Sequence, residues 1–341
     1  MTRLSVRRCA AFIMAGVLAV SLGVACGGGD DSEGNEGNST PAASGGSLAW
    51  DAQSLSESEG GAPFVPTILP TSLGVGPSRM LFALIDRDAG TLVSGAEITA
   101  TYYRLPADPD ADPTSAEEVA SLDAHPRVLD LRAVAGEGEA SDADLTTVYS
   151  TNPEFDASGF WGVSLNIDVD GETYQPRMKF WVMEQTPEIA IGSPAPRSEQ
   201  ATLADVDDPA TISSEAEPTL EMLDETVAEA LDTGKPVVVA FVTPAFCVSR
   251  FCGPIMDKVV QPAFDEYGDR VEFVHIEPYD VPKARAEAVL EPVPAVEEWG
   301  LRSEPFIFVI DSEGIVRTKL EGVTDLDELS TAIEAVLPGG A

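Results

Sequence analysis

Basic residues are scarce in this chain. Lys and Arg together number 20, against 58 Asp and Glu residues, so the formal net charge is −38 at pH 7. A surface this acidic repels a phosphate backbone, and the sequence therefore argues against nucleic acid as a partner. The charge favours solubility but indicates nothing about the fold.

Long apolar runs are equally scarce. The one candidate extends from Ala10 to Ala25, carries no charge, and follows Arg3, Arg7 and Arg8. It is too short to span a membrane comfortably and it ends in small residues, which is typical of a secretory signal peptide.

The apolar run stops at Cys26. The sequence Gly23-Val24-Ala25-Cys26 resembles the lipobox of bacterial lipoproteins, although Gly23 stands where that motif usually has Leu. The resemblance implies a signal peptide over residues 1–26, lipidation of Cys26 after cleavage, and attachment to the extracytoplasmic face of the cell membrane. Plain secretion and an uncleaved anchor are the alternatives.

Residues 27–61 consist mainly of Gly, Ser, Asn, Asp and Glu, and no Lys or Arg occurs between Arg8 and Arg79. A segment of this composition cannot bury enough apolar area to fold. We therefore expect a disordered acidic tether that links the lipid anchor, and hence the membrane, to the folded part of the chain.

Cysteine is rare as well, with four residues in the whole chain. Cys9 belongs to the signal peptide and Cys26 is the expected lipidation site. The folded region then keeps only Cys247 and Cys252, in a compartment where disulfides persist.

Residues 62–190 show the pattern of an all-β domain. From Trp161 to Val169 apolar and small or polar residues alternate strictly, which predicts a strand with one buried face. Further strands are predicted at Arg79–Asp86, Ile98–Leu105 and Arg177–Glu184, with a tight hairpin turn at Asp168–Gly171. An antiparallel β-sandwich of immunoglobulin type is the natural interpretation.

The run from Gly76-Pro77-Ser78-Arg79 through Gly159-Phe160-Trp161-Gly162 resembles small extracellular Ig-like modules of the YtkA and CopC kind. Metal binding is not predicted here. The acidic repeat that begins at Asp108 has Pro113 where a calcium loop needs Gly.

Residues 191–341 change from strand to mixed helix and strand periodicity. A helix is predicted from Leu220 to Leu231, a buried strand at Val237–Thr243, and a helix from Pro254 to Tyr267. The remaining predicted elements are a strand Val271–Glu277, a helix Lys283–Leu290, strands Phe306–Ile310 and Ile315–Glu321, and a final helix from Thr324 or Asp325 with Glu328 in a capping box.

Several motifs of this region resemble membrane-tethered TlpA-type thioredoxins. They are the run Trp299-Gly300-Leu301-Arg302-Ser303-Glu304-Pro305, the strand and turn Phe306–Gly314, and the set Phe241, Cys247, Cys252-Gly253-Pro254 and Tyr267. The resemblance implies an α/β thioredoxin fold, a cis peptide bond before Pro305, and a site formed by Cys247, Cys252 and Pro305 that uses no cofactor.

The spacing of the cysteines departs from this family, because four residues separate them instead of two. Pro254 belongs in a first helical turn, so the helix should begin near Cys252 and leave Cys247 in the preceding loop. A disulfide is then feasible, whereas two residues five apart within one helix lie too far apart. Which cysteine is the nucleophile stays open.

Neighbouring residues are expected to adjust the pKa of the nucleophile. Arg250 and the helix dipole favour a thiolate, Gly253 and Pro254 shape the start of the helix, and Glu304 opposes the thiolate.

Thiol–disulfide exchange with protein thiols and disulfides outside the cytoplasm is the leading interpretation. The alternatives are a peroxiredoxin-like peroxidase, a Sco-like copper protein that would use Cys247, Cys252 and His275, and a non-catalytic binding module with a structural disulfide. The physiological redox partner, the direction of electron flow and the role of the β-domain are left open.

Overall fold

The computed structural model describes residues 50, 62–69, 72–106, 116–131, 145–247 and 251–339. All the described residues belong to one compact unit. The predicted lipidation site Cys26 and the predicted supporting residue Arg250 lie outside them. Within the described ranges, no helix combines the length and the apolar character that a membrane span requires.

Residues 62–182, called here the β-rich part, contain strands and no helix in their described ranges. The strands are β1 (Phe64–Ile68), β2 (Gly76–Pro77), β3 (Met80–Asp86), β4 (Glu97–Arg104), β5 (Glu117–Asp123), β6 (His125–Asp130), β7 (Leu145–Thr151), β8 (Glu154–Phe155), β9 (Gly159–Val169), β10 (Glu172–Tyr174) and β11 (Arg177–Val182).

The strands of the β-rich part form two main sheets. One has the order β1-β3-β7-β6, and the other has the order β10-β9-β4-β5, with β11 also paired to β9. Side chains from both sheets, among them Phe82, Tyr149, Tyr102 and Trp161, share one buried cluster. The two sheets therefore pack face to face around a common core.

The strongest strand prediction is confirmed. Trp161, Val163, Leu165 and Ile167 of β9 are buried, as the alternating pattern requires. The predicted turn at Asp168–Gly171 is also present, since Val169 of β9 pairs with Glu172 of β10. Asp170 and Gly171 lie between these paired residues and have positive φ angles of 55° and 81°. Asp-Gly hairpin turns adopt this conformation.

Trp50 lies within the segment that the sequence predicts as a tether, yet its side chain is buried. Its ring lies against Gly162 of β9, where any Cβ atom would overlap it. The Tyr103 ring centroid is 5.2 Å from the Trp50 ring, and the Arg177 guanidinium carbon is 5.1 Å from it. The absence of a side chain at Gly162 thus creates the space for this contact.

Residues 194–337, called here the mixed-sheet part, combine helices with one sheet. Their elements are α1 (Val227–Asp232), β12 (Val237–Phe241), α2 (Cys252–Ile255), α3 (Gln261–Tyr267), β13 (Glu272–Ile276), α4 (Val281–Glu287), α5 (Pro294–Glu298), β14 (Phe306–Ile310), β15 (Val316–Glu321) and α6 (Leu326–Glu334). A π-helical turn, Met256–Val260, joins α2 to α3.

The sheet of the mixed-sheet part has the order β13-β12-β14-β15. Strand β12 is parallel to β13 and antiparallel to β14. One face of the sheet packs against α2, the π-helical turn, α3 and α6. The other face packs against α1, α5 and Trp299. Because β12 is covered on both faces, all five of its residues are buried, which explains its continuous apolar sequence.

The structure corrects the predicted helix from Leu220 to Leu231. A short 3-10 turn, Leu220–Leu223, and α1 take its place. Thr226 begins α1 with a complete capping box, in which its side chain accepts from the Glu229 N–H and the Glu229 carboxylate accepts from the Thr226 N–H. This cap starts a new helix where the apolar spacing indicates a continuous one.

The β-rich part and the mixed-sheet part share buried side chains. Leu81, Leu129 and Val148 of the β-rich part belong to the same apolar cluster as Cys252 and the sheet face beneath α2 and α6. The described residues therefore contain a core that extends across both parts.

Candidate functional site

Cys247 and Cys252 form a disulfide, and their Cα atoms are 5.9 Å apart. This separation lies within the roughly 4.4–6.8 Å that disulfides span. Cys252 is the first residue of α2, as the position of Pro254 predicts, while Cys247 lies in the loop after β12. The predicted geometry, with one cysteine in the loop and one at the helix start, is confirmed.

The two cysteines differ in exposure. Cys252 is fully buried, whereas Cys247 is half-buried and packs at the margin of the same apolar cluster. Cys247 is therefore the more accessible residue of the pair. Leu129 of β6 lies in this cluster with Cys252, so the β-rich part contributes to the surroundings of the cysteine pair.

A chain of hydrogen bonds connects the cysteine loop to a buried carboxylate. The Ala245 N–H donates to Ser214 Oγ at 3.0 Å, and the Ser214 N–H donates to Glu277 Oε2 at 2.9 Å. Glu277 follows β13 and is 4% exposed. Burial raises the pKa of Glu277, and this effect exceeds the opposing effects of Thr243 and Ser214 nearby.

Glu215 is a second carboxyl group in this region. Burial raises the pKa of Glu215 to about 7, and the negative charges of Asp257 and Glu277 add to the shift. Asp257 lies in the π-helical turn that follows α2. A carboxyl group that exchanges protons near neutral pH therefore lies close to the helix that begins at Cys252.

The peptide bond between Glu304 and Pro305 is cis, as the sequence predicts. Pro305 immediately precedes β14, in which Phe306 pairs with Phe241 of β12. The cysteine loop leaves the sheet just after Phe241, so Pro305 and the start of this loop lie at the same end of the sheet. The Glu304 carboxylate accepts a hydrogen bond from the Tyr279 hydroxyl at 2.8 Å.

His275 lies inside β13 and is buried. Its Nε2 is 2.9 Å from the carbonyl oxygen of Val242, which immediately follows β12. Burial lowers the pKa of His275 to about 4, so the ring is neutral at pH 7. Across the described ranges, no three or more His, Cys, Asp or Glu side chains are grouped as they would need to be to hold a metal ion.

Ser214, Glu215, Glu277 and Tyr279 are site residues that the sequence interpretation missed. The one sequence signal at Glu277 is its position directly after the apolar strand β13. Ser214 and Glu215 lie outside helices and strands, and no periodicity marks them. Only the folded chain brings them to the cysteine loop.

No protein-family model matches this chain, and no curated protein sequence matches it significantly. Among solved structures, the soluble domain of PmoD from Methylocystis sp. ATCC 49242 (Rockwell) is 12% identical, with a TM-score of 0.20, and the match covers 35% of this chain and 90% of that one.

A superoxide reductase (neelaredoxin) from Ignicoccus hospitalis, in a variant form, is 9% identical with a TM-score of 0.20, and the match covers 38% of this chain and 90% of that one. A second variant of the same reductase gives 9% identity, a TM-score of 0.19, and coverage of 39% and 89%. Scores this low do not establish a shared fold. The conclusions about this chain therefore rest on its own residues and geometry.

Proposed function

We propose that the mixed-sheet part is a thioredoxin-like domain that carries out thiol–disulfide exchange through Cys247 and Cys252. The observation that carries the proposal is the position of the pair, with a half-buried cysteine in the loop after a central strand and a buried cysteine at the start of the next helix. The strand order β13-β12-β14-β15, the helices on both faces and the cis peptide bond before β14 support the same assignment.

The difference in exposure supports Cys247 as the attacking cysteine and Cys252 as the resolving one. In the reduced protein, the Cys247 thiolate attacks one sulfur of a partner disulfide, a mixed disulfide forms, and the other partner sulfur leaves as a thiolate. The Cys252 thiolate then attacks Cys247 Sγ and releases the second partner thiolate. The partner gains two electrons and the domain loses two, and the reverse sequence oxidises a dithiol.

Residues around the pair support this chemistry. The thiolate of Cys252 would lie at the N-terminal end of a helical stretch, where the backbone dipole favours negative charge. Glu215 and Glu277 provide carboxyl groups near the loop and the helix for proton transfer. Arg250 and Glu304 are proposed to shift the pKa of the nucleophile in opposite directions.

An insulin reduction assay tests the proposal with the wild-type protein and the Cys247→Ser and Cys252→Ser variants. We expect turnover in the wild-type protein and in neither variant. Cys252→Ser should accumulate a mixed disulfide with insulin through Cys247, whereas Cys247→Ser should not. Mass spectrometry of the acid-quenched reaction identifies the adduct.

Peroxide consumption and copper titration are run on the same samples. A disulfide that mild reductants do not open would support a structural role for the pair and contradict the proposal. Rapid peroxide turnover without insulin reduction would favour a peroxidase. Tight copper binding that His275→Ala abolishes, without exchange activity, would favour the copper protein.

We further propose that the chain is a lipoprotein on the extracytoplasmic face of the cell membrane, with the lipid on Cys26 and residues 27–61 as a tether. The two-sheet architecture supports assigning the β-rich part to the Ig-like sandwiches. Protein thiols and disulfides outside the cytoplasm are then the partners, and nucleic acid is not.

A further inference from the structure

Strand β6 of the β-rich part lies against α2, the helix that begins at Cys252. Leu129 of β6 is 1% exposed and belongs to the same apolar cluster as Cys252, which is fully buried. A residue from outside the mixed-sheet part therefore contributes to the apolar enclosure of the buried cysteine.

Polar contacts hold β6 in this position. Arg127, two residues before Leu129 and on the same face of the strand, donates from Nη1 to Asp325 Oδ1 at 3.4 Å. Its Nε is 3.6 Å from Glu328 Oε1, and the Val128 N–H donates to Asp325 Oδ2 at 3.3 Å. Asp325 caps α6, and α6 packs beside the π-helical turn that follows α2. These contacts therefore fix Leu129 relative to the helix of Cys252.

An apolar enclosure acts on the thiolate of a cysteine more than on its thiol. Burial raises the pKa of a thiol, because the anion loses its hydration while the neutral form loses little. In the exchange proposed above, Cys252 must become a thiolate before it can attack Cys247 Sγ in the mixed disulfide. The enclosure around Cys252 therefore controls the second step of the reaction.

Charged side chains on the surrounding elements also act on the pKa of Cys252. They are Arg127 and Asp130 on β6, Asp325 and Glu328 at the start of α6, Asp257 and Lys258 on the π-helical turn, Glu215 and Glu277 near the cysteine loop, Glu304 at the same end of the sheet, and Arg250 two residues before Cys252 in the sequence. A substitution of Leu129 changes none of these charges, so its effect isolates that of the apolar enclosure.

We propose that the β-rich part is a component of the exchange site, in which Leu129 completes the apolar enclosure of Cys252 and slows the step that resolves the mixed disulfide. Leu129 is a positioning residue, since it acts through Cys252. The inference rests on the exchange function proposed above and gives the β-rich part a role in it. The mixed disulfide with a partner persists longer than it would at an exposed pair.

Stopped-flow reaction with the aryl disulfide dithiobis(nitrobenzoate) tests this on the reduced full chain with Cys9→Ala and Cys26→Ala, so that the pair supplies the thiols. With protein in excess, the Cys247 thiolate attacks the reagent, forms a mixed disulfide and releases one thionitrobenzoate. The Cys252 thiolate then attacks Cys247 Sγ and releases the second thionitrobenzoate. Absorbance records both phases. The Cys252→Ser variant should lack the second phase and thereby assigns it.

The pH midpoint of the second-phase rate reports the pKa of Cys252. With Leu129 present we expect this midpoint above about 8.5, the ordinary value for a free cysteine. Leu129→Asn, which is polar and of similar size, should lower the midpoint by about one pH unit. It should speed the second phase at pH 7 only about threefold, because a less basic thiolate is also a weaker nucleophile. Leu129→Met stays apolar and should keep the original midpoint.

Leu81→Asn is the matched control. Leu81 of β3 is 3% exposed and belongs to the same apolar cluster, so this substitution buries the same polar group. Leu81 lies opposite Ser150 of β7, whereas Leu129 lies opposite Thr146. Four residues of strand, about 13 Å, separate these two positions. Leu81→Asn should therefore destabilise the protein as Leu129→Asn does and leave the midpoint unchanged.

An unchanged midpoint in Leu129→Asn would overturn the inference, as would an equal shift in Leu81→Asn. If circular dichroism shows that Leu129→Asn does not fold, Leu129→Ala replaces it, with a smaller shift in the same direction expected and an unchanged midpoint again decisive. A pair that releases the first thionitrobenzoate but never the second would contradict the exchange function, and the inference with it. Two phases without an effect of Leu129 would remove the inference alone.

Discussion

Arg79 and Glu328 are joined by two hydrogen bonds of 2.7 Å, from Nε to Oε1 and from Nη2 to Oε2, although 249 residues separate them along the chain. Both side chains are about nine-tenths buried. The Arg79 guanidinium also donates to the carbonyl oxygens of Glu321 and Val323 at 2.7 Å. Arg79, directly before β3, thus donates hydrogen bonds to three acceptor groups of the mixed-sheet part.

We expect Arg79→Met to destabilise the protein by about 3–5 kcal/mol, because it leaves the buried Glu328 carboxylate without its main partner. Urea unfolding at pH 7 measures the loss. Arg197→Met is the control, since Arg197 pairs with Asp232 and both side chains are more than half exposed, and an exposed ion pair contributes at most about 1 kcal/mol.

The double variant Arg79→Met/Glu328→Met should recover much of the stability that Arg79→Met loses, since two apolar side chains then face each other. A single variant as stable as the wild type would show that the ion pair does not hold the two parts together.

Glu215→Gln should make the protein more stable at pH 8 and change it little at pH 4. Burial raises the pKa of Glu215 to about 7, against about 4.3 in an unfolded chain. Between these values the folded state holds a proton that the unfolded state has lost, so this group lowers the stability as pH rises, up to about pH 7. Glutamine removes this pH dependence.

Urea unfolding of the Glu215→Gln variant at pH 4, 6 and 8 gives the comparison. Glu217→Gln, an exposed glutamate two residues further along, should show no such trend. A Glu215→Gln variant that loses stability at pH 8 would contradict the assignment of Glu215 as a buried acid.

Glu304→Ala should lower the pKa of the Cys247 thiol, because a carboxylate at the same end of the sheet opposes formation of the thiolate. The rate of alkylation by iodoacetamide as a function of pH measures this pKa in the Cys252→Ser background. Tyr279→Phe is the matched control, since it removes the 2.8 Å hydrogen bond to Glu304 but keeps the charge. An unchanged or raised pKa in Glu304→Ala would contradict the role proposed for Glu304.

Gly162→Val should displace the Trp50 ring from the surface of β9, because a side chain at this position would overlap it. The exposed indole should shift tryptophan fluorescence emission to longer wavelength, and this shift should be absent when Trp50→Phe is combined with Gly162→Val. Ser164→Val, on the same face of β9, is the control. No shift in Gly162→Val would show that Trp50 does not pack there in solution.

Cys26→Ala should release the protein from the membrane fraction or block its processing, because the lipid has no other attachment site in the proposed scheme. Fractionation and immunoblotting of cells that express the full chain measure this. Cys9→Ala, which alters the signal peptide but keeps Cys26, should fractionate as the wild type does. A Cys26→Ala protein that remains with the membranes would contradict lipid anchoring through Cys26.

Local chemistry allowed much of this structure to be predicted. The alternating sequence of β9 predicts one buried face, and the continuous apolar sequence of β12 predicts two. The structure confirms both predictions. Pro254 indicated where the helix after the cysteine loop begins, because its ring suits only a first helical turn. Because α2 begins at Cys252, Cys247 lies outside the helix and can form a disulfide with Cys252.

Glu328 shows where local interpretation failed. Its spacing from Asp325 predicts a capping box, and the structure contains only half of one. Asp325 accepts from the Glu328 N–H at 2.9 Å, but the Glu328 carboxylate binds Arg79 and the Thr324 hydroxyl instead. Arg79 lies 249 residues from Glu328 in the sequence. The residues around Glu328 therefore contain no pattern that predicts this contact.

The sequence by itself determined strands such as β9 and β12, the start of α2 and the presence of one cysteine pair, since these depend on residues a few positions apart. The tertiary structure alone decided that Cys252 is fully buried and Cys247 half-buried, that Ser214 and Glu277 connect to the cysteine loop, and that a cavity opens beside β13. Burial and long-range hydrogen bonds depend on which distant segments meet, and that becomes defined only when the chain packs.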